Sequence, residues 1–178
     1  MKNFRCLLIL LALALSTSAQ KLTTGPDATS QPTFVVNGMD GKRIDIADLR
    51  GKIVVLNLWF INCPNCLEEI ASLNALVDQY RDNSNVVFLG LAASPKNELV
   101  KFLQKHPFKY QIIPDAAITI IGKLGTPGKN GDVEVPFPMH YVLDREGYIV
   151  VKVQGTKGIA AVTNELTKQF AKRTGGTK

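Results

Sequence analysis

Two cysteines, Cys63 and Cys66, are spaced so that they could form a disulfide with each other. They follow an apolar run at 53–60 and precede a stretch at 67–80 whose apolar residues recur at helical spacing. The pair therefore falls at the start of a helix, where unpaired N–H groups and the helix dipole favour an anion. A thiolate is such an anion, and it is the nucleophile in disulfide exchange. The sequence thus predicts a redox-active dithiol.

A purely structural use of these cysteines is the simplest alternative. A disulfide that closes so short a loop stabilises a fold by only about 2 kcal/mol, against about 4.7 kcal/mol for a loop of about 100 residues. A zinc site usually needs a second pair of ligands, and beyond the cysteines the chain offers only His106 and His140. The spacing therefore favours chemistry over a staple or a zinc site.

The first 19 residues resemble a secretory signal peptide. Lys2 and Arg5 precede the apolar run 7–15, and small residues at 17–19 offer a cleavage site. The run is short of the roughly 20 apolar residues that span a bilayer, although an uncleaved anchor is the alternative. Cleavage would remove Cys6 and leave Cys63 and Cys66 as the only cysteines. We expect a periplasmic or otherwise extracytoplasmic protein, since disulfides form there.

Length and charge limit the remaining possibilities. The 178 residues suit a flexible leader at 20–31, one domain at 32–172 and a disordered tail at 173–178. The net charge of +6 falls to +4 when Lys2 and Arg5 are removed, and the other basic residues are scattered. Nucleic-acid binding is therefore not supported. We expect a monomer.

The pattern of apolar residues predicts an alternation of strands and helices. Two hairpins are expected, around residues 33–46 and 139–153, with the last helix at 159–172. Between them we expect strands at 53–60, 86–92 and 110–113, helices at 63–80, 96–105 and 116–124, and a loop at 125–135. Ser94 and Asp115 are expected to cap the second and third of these helices. Parallel strands joined by a helix imply a mixed sheet with helices on both faces.

The segment 54–69, which contains the strand and the CxxC, resembles the thioredoxin fold. It is most similar to the TlpA/ResA-like group of exported thiol-disulfide oxidoreductases, within the AhpC/TSA-Redoxin superfamily, and the resemblance covers about residues 32–170. It implies an α/β thioredoxin-like fold, with a mixed central sheet flanked by helices. An N-terminal β-hairpin and a strand-helix insertion around 109–124 belong to the same expectation.

The resemblance also implies roles for individual residues. Cys63 would be the exposed attacking thiol and Cys66 the buried resolving thiol. Glu69 would accept the proton of Cys66, or it is only a carboxylate in the early turns of a helix, where acidic residues are favoured. Pro138 matches the family's cis-proline better than Pro136 does. Four residues are candidates for contact with a partner protein: Trp59, Pro64, Asn65 and Phe137.

The expected activity is reduction of disulfides in extracytoplasmic partner proteins, with electrons from a membrane donor and no cofactor beyond the disulfide itself. Cytochrome c maturation and repair of oxidised proteins are the processes that the resemblance suggests. Oxidation stays open, because a proline at position 64 is similar to more oxidising relatives. The alternative function is binding or delivery of copper(I) by Cys63, Cys66 and His140, since thiolates suit that ion, although a structural role for His140 is favoured. A peroxidase is disfavoured, because Phe60 stands where peroxiredoxins carry Thr.

Overall fold

Residues 30–174 are described by the structure, which is a computed structural model. The predicted signal peptide at 1–19, most of the predicted leader at 20–31, and residues 175–178 lie outside the described residues. The strands, in chain order, are β1 (Val35–Asn37), β2 (Arg43–Asp45), β3 (Ile53–Trp59), β4 (Val86–Ala92), β5 (Gln111–Ile113), β6 (Thr126–Pro127), β7 (Val133–Glu134), β8 (Met139–Leu143) and β9 (Ile149–Gln154). The helices are α1 (Pro64–Gln79), α2 (Lys96–Lys105), α3 (Ala117–Thr119) and α4 (Gly158–Thr174).

A five-stranded mixed sheet forms the centre, in the order β5-β4-β3-β8-β9. Strand β3 runs parallel to β4 and antiparallel to β8, and β4 runs parallel to β5. Strands β1 and β2 make the predicted N-terminal hairpin as a separate two-stranded sheet. The mixed sheet flanked by helices is confirmed. The strand of the predicted insertion is β5, which forms one edge of the main sheet.

The sheet buries side chains on both of its faces. Every residue of β3 is buried, and successive side chains of a strand point to opposite faces. One face, which we call the helix face, carries Ile53, Val55 and Trp59 and is covered by residues of α1, α2 and α4. The other carries Val54, Leu56 and Leu58 and packs against the hairpin and the segment after β5. Since side chains alternate along a strand, Asn57 points to the helix face.

Three local predictions are wrong. Residues 125–135 contain the small antiparallel ribbon of β6 and β7 where a loop was expected. Asp115 does not cap a helix: its φ is +54°, and α3 is a single turn that continues as a π-helical turn, Ile120–Leu124. Pro95, not Ser94, is the N-cap of α2. The side chain of Ser94 does not cap α2 because it accepts a hydrogen bond from the distant Ile61 N–H instead.

The last helix extends beyond the predicted domain end at 172, to Thr174. Residues 173 and 174 of the predicted tail are therefore helical. Within residues 30–174, no helix combines the length and the apolar character needed to cross a membrane.

Candidate active site

Cys63 and Cys66 form a disulfide at the start of α1, with their Cα atoms 5.2 Å apart. Cys63 is the N-cap of the helix and Pro64 its first residue, where the missing N–H costs little. The Sγ of Cys63 accepts a hydrogen bond from the Cys66 N–H at 3.2 Å. The sulfur thus takes the place that a serine or aspartate oxygen usually takes at a helix start. A negative charge on this sulfur would be stabilised by the same N–H group.

The predicted difference in exposure between the two cysteines is wrong for this oxidised state. Cys63 exposes 5% of its surface and Cys66 exposes 3%, and both belong to the apolar cluster on the helix face. The bond between the sulfurs makes each cover part of the other. Pro64 and Asn65, the two residues between them, are exposed, as partner contact would require.

The turn before Cys63 is fixed by hydrogen bonds to the neighbouring strand end. The Ile61 N–H donates to Ser94 Oγ at 3.0 Å, and the Ala93 N–H donates to the Trp59 carbonyl at 2.9 Å. Ser94 is buried, and its hydroxyl serves this turn and not the start of α2. The sequence signal was misread because Ser before Pro resembles a helix cap wherever it occurs.

A buried polar chain lies below the disulfide. Glu69 exposes 2% of its surface, and its Oε1 lies 3.1 Å from Nε2 of His140, which is fully buried. The other ring nitrogen, Nδ1, lies 3.4 Å from Nδ2 of Asn57. Asn57 and His140 are register partners on β3 and β8. Sequence analysis named Glu69 and His140 but did not connect them, since the contact depends on strand register.

Glu69 is positioned by the helix that carries the cysteines. It lies three residues after Cys66, so the two side chains are neighbours on one face of α1. Its second oxygen, Oε2, is buried and has no hydrogen-bond partner. The carboxylate is therefore not one of the solvated acidic residues that a helix start favours. Glu68 is exposed and fills that description instead.

Trp59 cannot contact a partner, and its prediction as a contact residue is wrong. It is fully buried, and its ring packs against Phe102 and Phe108 at centroid distances of 5.7 and 5.3 Å. Its position as the last residue of β3, on the covered helix face, explains the burial.

Tyr110 adds a second buried polar group to this region. Its hydroxyl has no hydrogen-bond partner. Burial raises the pKa of Tyr110 far above its usual range, and the charge of Glu69 adds to the rise. The phenol is therefore neutral across the physiological range.

The Phe137–Pro138 peptide bond is cis, the geometry expected for Pro138 and not for Pro136. The Phe137 ring meets the Phe60 ring edge to face at 5.1 Å, and the Phe60 carbonyl accepts the Cys63 N–H at 3.2 Å. Phe137 is half-buried, so part of the ring is open to a partner beside the disulfide.

An apolar groove of about 230 Å³ continues from Phe137. The other residues that line it are Ala93, Ala117, Ile120, Ile121, Val133 and Val135. Ile121 is 52% exposed and Val133 is exposed as well. The groove lies between the π-helical turn and β7, and no local sequence pattern predicted either of them.

The copper alternative receives no support from the structure. Both ring nitrogens of His140 face other residues, Asn57 and Glu69. Across residues 30–174, no group of three or more His, Cys, Asp or Glu side chains is placed to hold a metal ion.

Comparisons with known proteins agree with this geometry. Residues 28–152 match the AhpC/TSA family. The thiol-disulfide oxidoreductase ResA of Bacillus cereus is 31% identical over 137 residues, which cover 76% of this chain and 72% of that protein. A proposed thiol:disulfide interchange protein DsbE of Chlorobium tepidum is 18% identical, with a TM-score of 0.65 over 82% of this chain and 99% of that one. The exposed lipoprotein thioredoxin of Streptococcus pneumoniae is 21% identical, with a TM-score of 0.58 over 76% and 98%. These likenesses show the thioredoxin fold.

Proposed function

This chain belongs to the AhpC/TSA family and is a thiol-disulfide oxidoreductase, and we propose that it reduces disulfides of extracytoplasmic partner proteins. The observation that carries the proposal is the Cys63–Cys66 disulfide at the start of α1, where the Cys66 N–H points to the Cys63 sulfur. A thiolate at that position has a hydrogen-bond donor and the positive end of the helix dipole beside it.

The reaction follows from the order of the two sulfurs. In the reduced enzyme, the Cys63 thiolate attacks one sulfur of the partner disulfide, forms a mixed disulfide, and releases the other partner sulfur as a thiolate. Cys66 loses its proton and attacks the Cys63 sulfur, which breaks the mixed disulfide and releases the second partner sulfur as a thiolate. The enzyme ends with the disulfide that the structure contains. Two electrons from a donor, proposed to be membrane-bound, regenerate the dithiol.

Glu69 is proposed as the acceptor of the Cys66 proton. The support is its burial, its place three residues after Cys66, and an Oε2 atom without a partner. Because Cys66 and Glu69 are both buried, the carboxylate is the base proposed to serve the resolving thiol from within the protein.

The partner surface is proposed to run from Pro64 and Asn65 across Phe137 into the apolar groove. An incompletely folded protein exposes apolar side chains next to its cysteines, and these side chains would fit that surface. Neither cysteine lines the groove, so a small disulfide is proposed to react without occupying it. Protein substrates should therefore gain from it and small disulfides should not.

Export is supported by the basic and apolar composition of residues 1–19 and by the likeness to an exposed lipoprotein. A compartment with few reductants would also explain the need for a dedicated electron donor.

The test is turnover of a disulfide-bearing protein with dithiothreitol as the electron source, together with the reduction potential of the Cys63–Cys66 pair against glutathione. We expect catalytic reduction and a potential near that of thioredoxin, about −270 mV. A potential near about −120 mV, that of a strong periplasmic oxidant, would reverse the proposed direction. Absence of turnover in both directions would remove the proposal.

A further inference from the structure

His140 has no part in the reaction as proposed so far, yet it is the most enclosed polar side chain at the site. Its two ring nitrogens face two different polar partners, Asn57 and Glu69. Both partners are also buried. A fully buried imidazole between an amide and a carboxylate is costly to keep unless its hydrogen bonds are satisfied.

The partners define the ring's tautomer. The Nδ2 group of Asn57 is a donor, so Nδ1 of His140 is its acceptor. The proton of the neutral ring then lies on Nε2, which donates to Glu69 Oε1 at 3.1 Å. This leaves Oε2 as the carboxylate oxygen that no group in the described residues occupies.

The first residue of α4 encloses the ring. A Cβ atom on Gly158 would lie 2.3 Å from His140 Cδ2, so only glycine lets the helix approach this closely. The helix thus closes this side of the imidazole, which is fully buried.

Other charged groups of the surrounding elements are engaged elsewhere. On α4, Glu165 is bonded to Lys168 and Gln169, and on β9 the ammonium of Lys152 lies 5.9 Å from the Tyr141 ring on the opposite face. From the segment before β5, Tyr110 brings a neutral phenol. Glu68 of α1 is exposed.

We propose that His140 is a positioning residue for the resolving step: its Nε2–H holds Glu69 Oε1, so that Oε2 is presented to the Cys66 thiol. This inference rests on the proposed function. The Cys66 proton passes to Glu69, the Cys66 sulfur forms its bond to Cys63, and the partner leaves as a thiolate. Proton and electron pair are thus accounted for within the dithiol, the carboxylate and the partner disulfide. The proton leaves Glu69 before the next turnover.

The experiment separates the two chemical steps with one equivalent of the chromogenic disulfide dithiobis(nitrobenzoate). The reduced enzyme should release one nitrothiobenzoate when Cys63 attacks and a second when Cys66 resolves the mixed disulfide. We expect His140→Phe to leave the first release unchanged and to slow the second by about tenfold or more, as loss of assistance to a general base does. The second rate should also become more steeply dependent on pH, because free hydroxide would replace Glu69.

Four further variants distinguish positioning from a merely structural role. His140→Gln keeps an N–H donor near the position of Nε2 and should restore most of the second rate. Glu69→Gln should slow the same step, and the double variant Glu69→Gln/His140→Phe should be no slower than Glu69→Gln alone, because both residues serve one proton path. Asn57→Leu removes the partner of Nδ1 and should also slow only the second release. It replaces His140→Phe if that variant does not fold.

Equal slowing of both releases in His140→Phe, or multiplied losses in the double variant, would overturn the inference. A second release in His140→Phe that is as fast as in the wild type would also overturn it. If His140→Phe does not fold, the same holds for Asn57→Leu. A wild-type enzyme that never gives the second release would instead contradict the proposed function. The two failures are therefore distinguishable.

Discussion

Glu69 and His140 are separated by 71 positions in the sequence, and their Oε1 and Nε2 atoms lie 3.1 Å apart in the core. Glu69 comes from the helix that carries both cysteines, and His140 comes from the strand that follows Pro138. The contact thus joins the two parts of the chain that form the site. Any change that moves α1 relative to β8 should affect the reaction through this pair.

The two cysteines should fail in different ways when they are replaced. Cys63→Ser removes the attacking sulfur, so turnover should fall to the uncatalysed rate. In Cys66→Ser, Cys63 can still attack the partner, but the mixed disulfide cannot be resolved. A covalent complex with the partner should therefore accumulate and be visible on a non-reducing gel. Full activity of Cys63→Ser in a disulfide-reduction assay would contradict the assigned roles.

The apolar groove should matter for protein substrates only. Ile121→Glu places a charge at its rim, and the loss of part of the roughly 1.5–3 kcal/mol that burial of an isoleucine contributes should lower kcat/KM for an unfolded protein about tenfold. Reduction of dithiobis(nitrobenzoate) should not change. Val100→Glu is the matched control, since Val100 is exposed on α2 and does not line the groove. Equal losses in the two variants would argue against the groove.

Tyr110→Phe should stabilise the protein at neutral pH. It removes a buried hydroxyl that has no hydrogen-bond partner, which costs about 1–3 kcal/mol, and we expect a gain of about 1 kcal/mol in the free energy of unfolding. Urea denaturation measures it. Tyr148→Phe, at an exposed position, is the control and should have little effect.

The same variant should change the response to alkaline pH. The pKa of Tyr110 is raised in the folded state, so below the ordinary value near 10 the phenol is neutral in both states and the stability does not depend on its titration. As the pH rises above about 10, the unfolded phenol ionises first, which favours the unfolded state and lowers the free energy of unfolding. Burial also raises the pKa of Tyr141, to about 12, so the wild type should lose stability steeply there. Tyr110→Phe should lose stability less steeply than the wild type, and an unchanged slope would contradict this.

Gly158→Ala should damage the site through His140. The added Cβ would lie 2.3 Å from the imidazole, so either α4 or the ring must move, and we expect a loss of about 1–3 kcal/mol in stability. The release of the second nitrothiobenzoate should slow as the contact with Glu69 weakens. Gly122→Ala, where the added atom meets nothing within 4 Å, should have neither effect.

Much of the fold could be predicted because its signals are local. Three features are each readable within a short window: the nearly continuous apolar run of β3, the helical spacing after Cys66, and the two hairpins. The dithiol was predictable for the same reason, since spacing and helix start lie within a few residues.

The remaining features depend on contacts between distant segments. The link from Asn57 to Glu69 through His140 requires the register of β3 against β8, which no local pattern encodes. Ser94 was misassigned because its partner, the Ile61 N–H, is distant in sequence. The groove depends on a π-helical turn and on the ribbon of β6 and β7, whose strands have two residues each. Segments this short show no periodic pattern of apolar residues.

The hydrogen bonds from Ile61 to Ser94 and from Ala93 to Trp59 clamp both sides of the turn that leads to Cys63. A turn held in this way should change its shape little when a substrate binds. We therefore expect the substrate to adapt instead, with its disulfide on a flexible stretch of backbone that can reach Cys63. Well-packed native crosslinks would then be spared, and misplaced ones in incompletely folded chains would be reduced first.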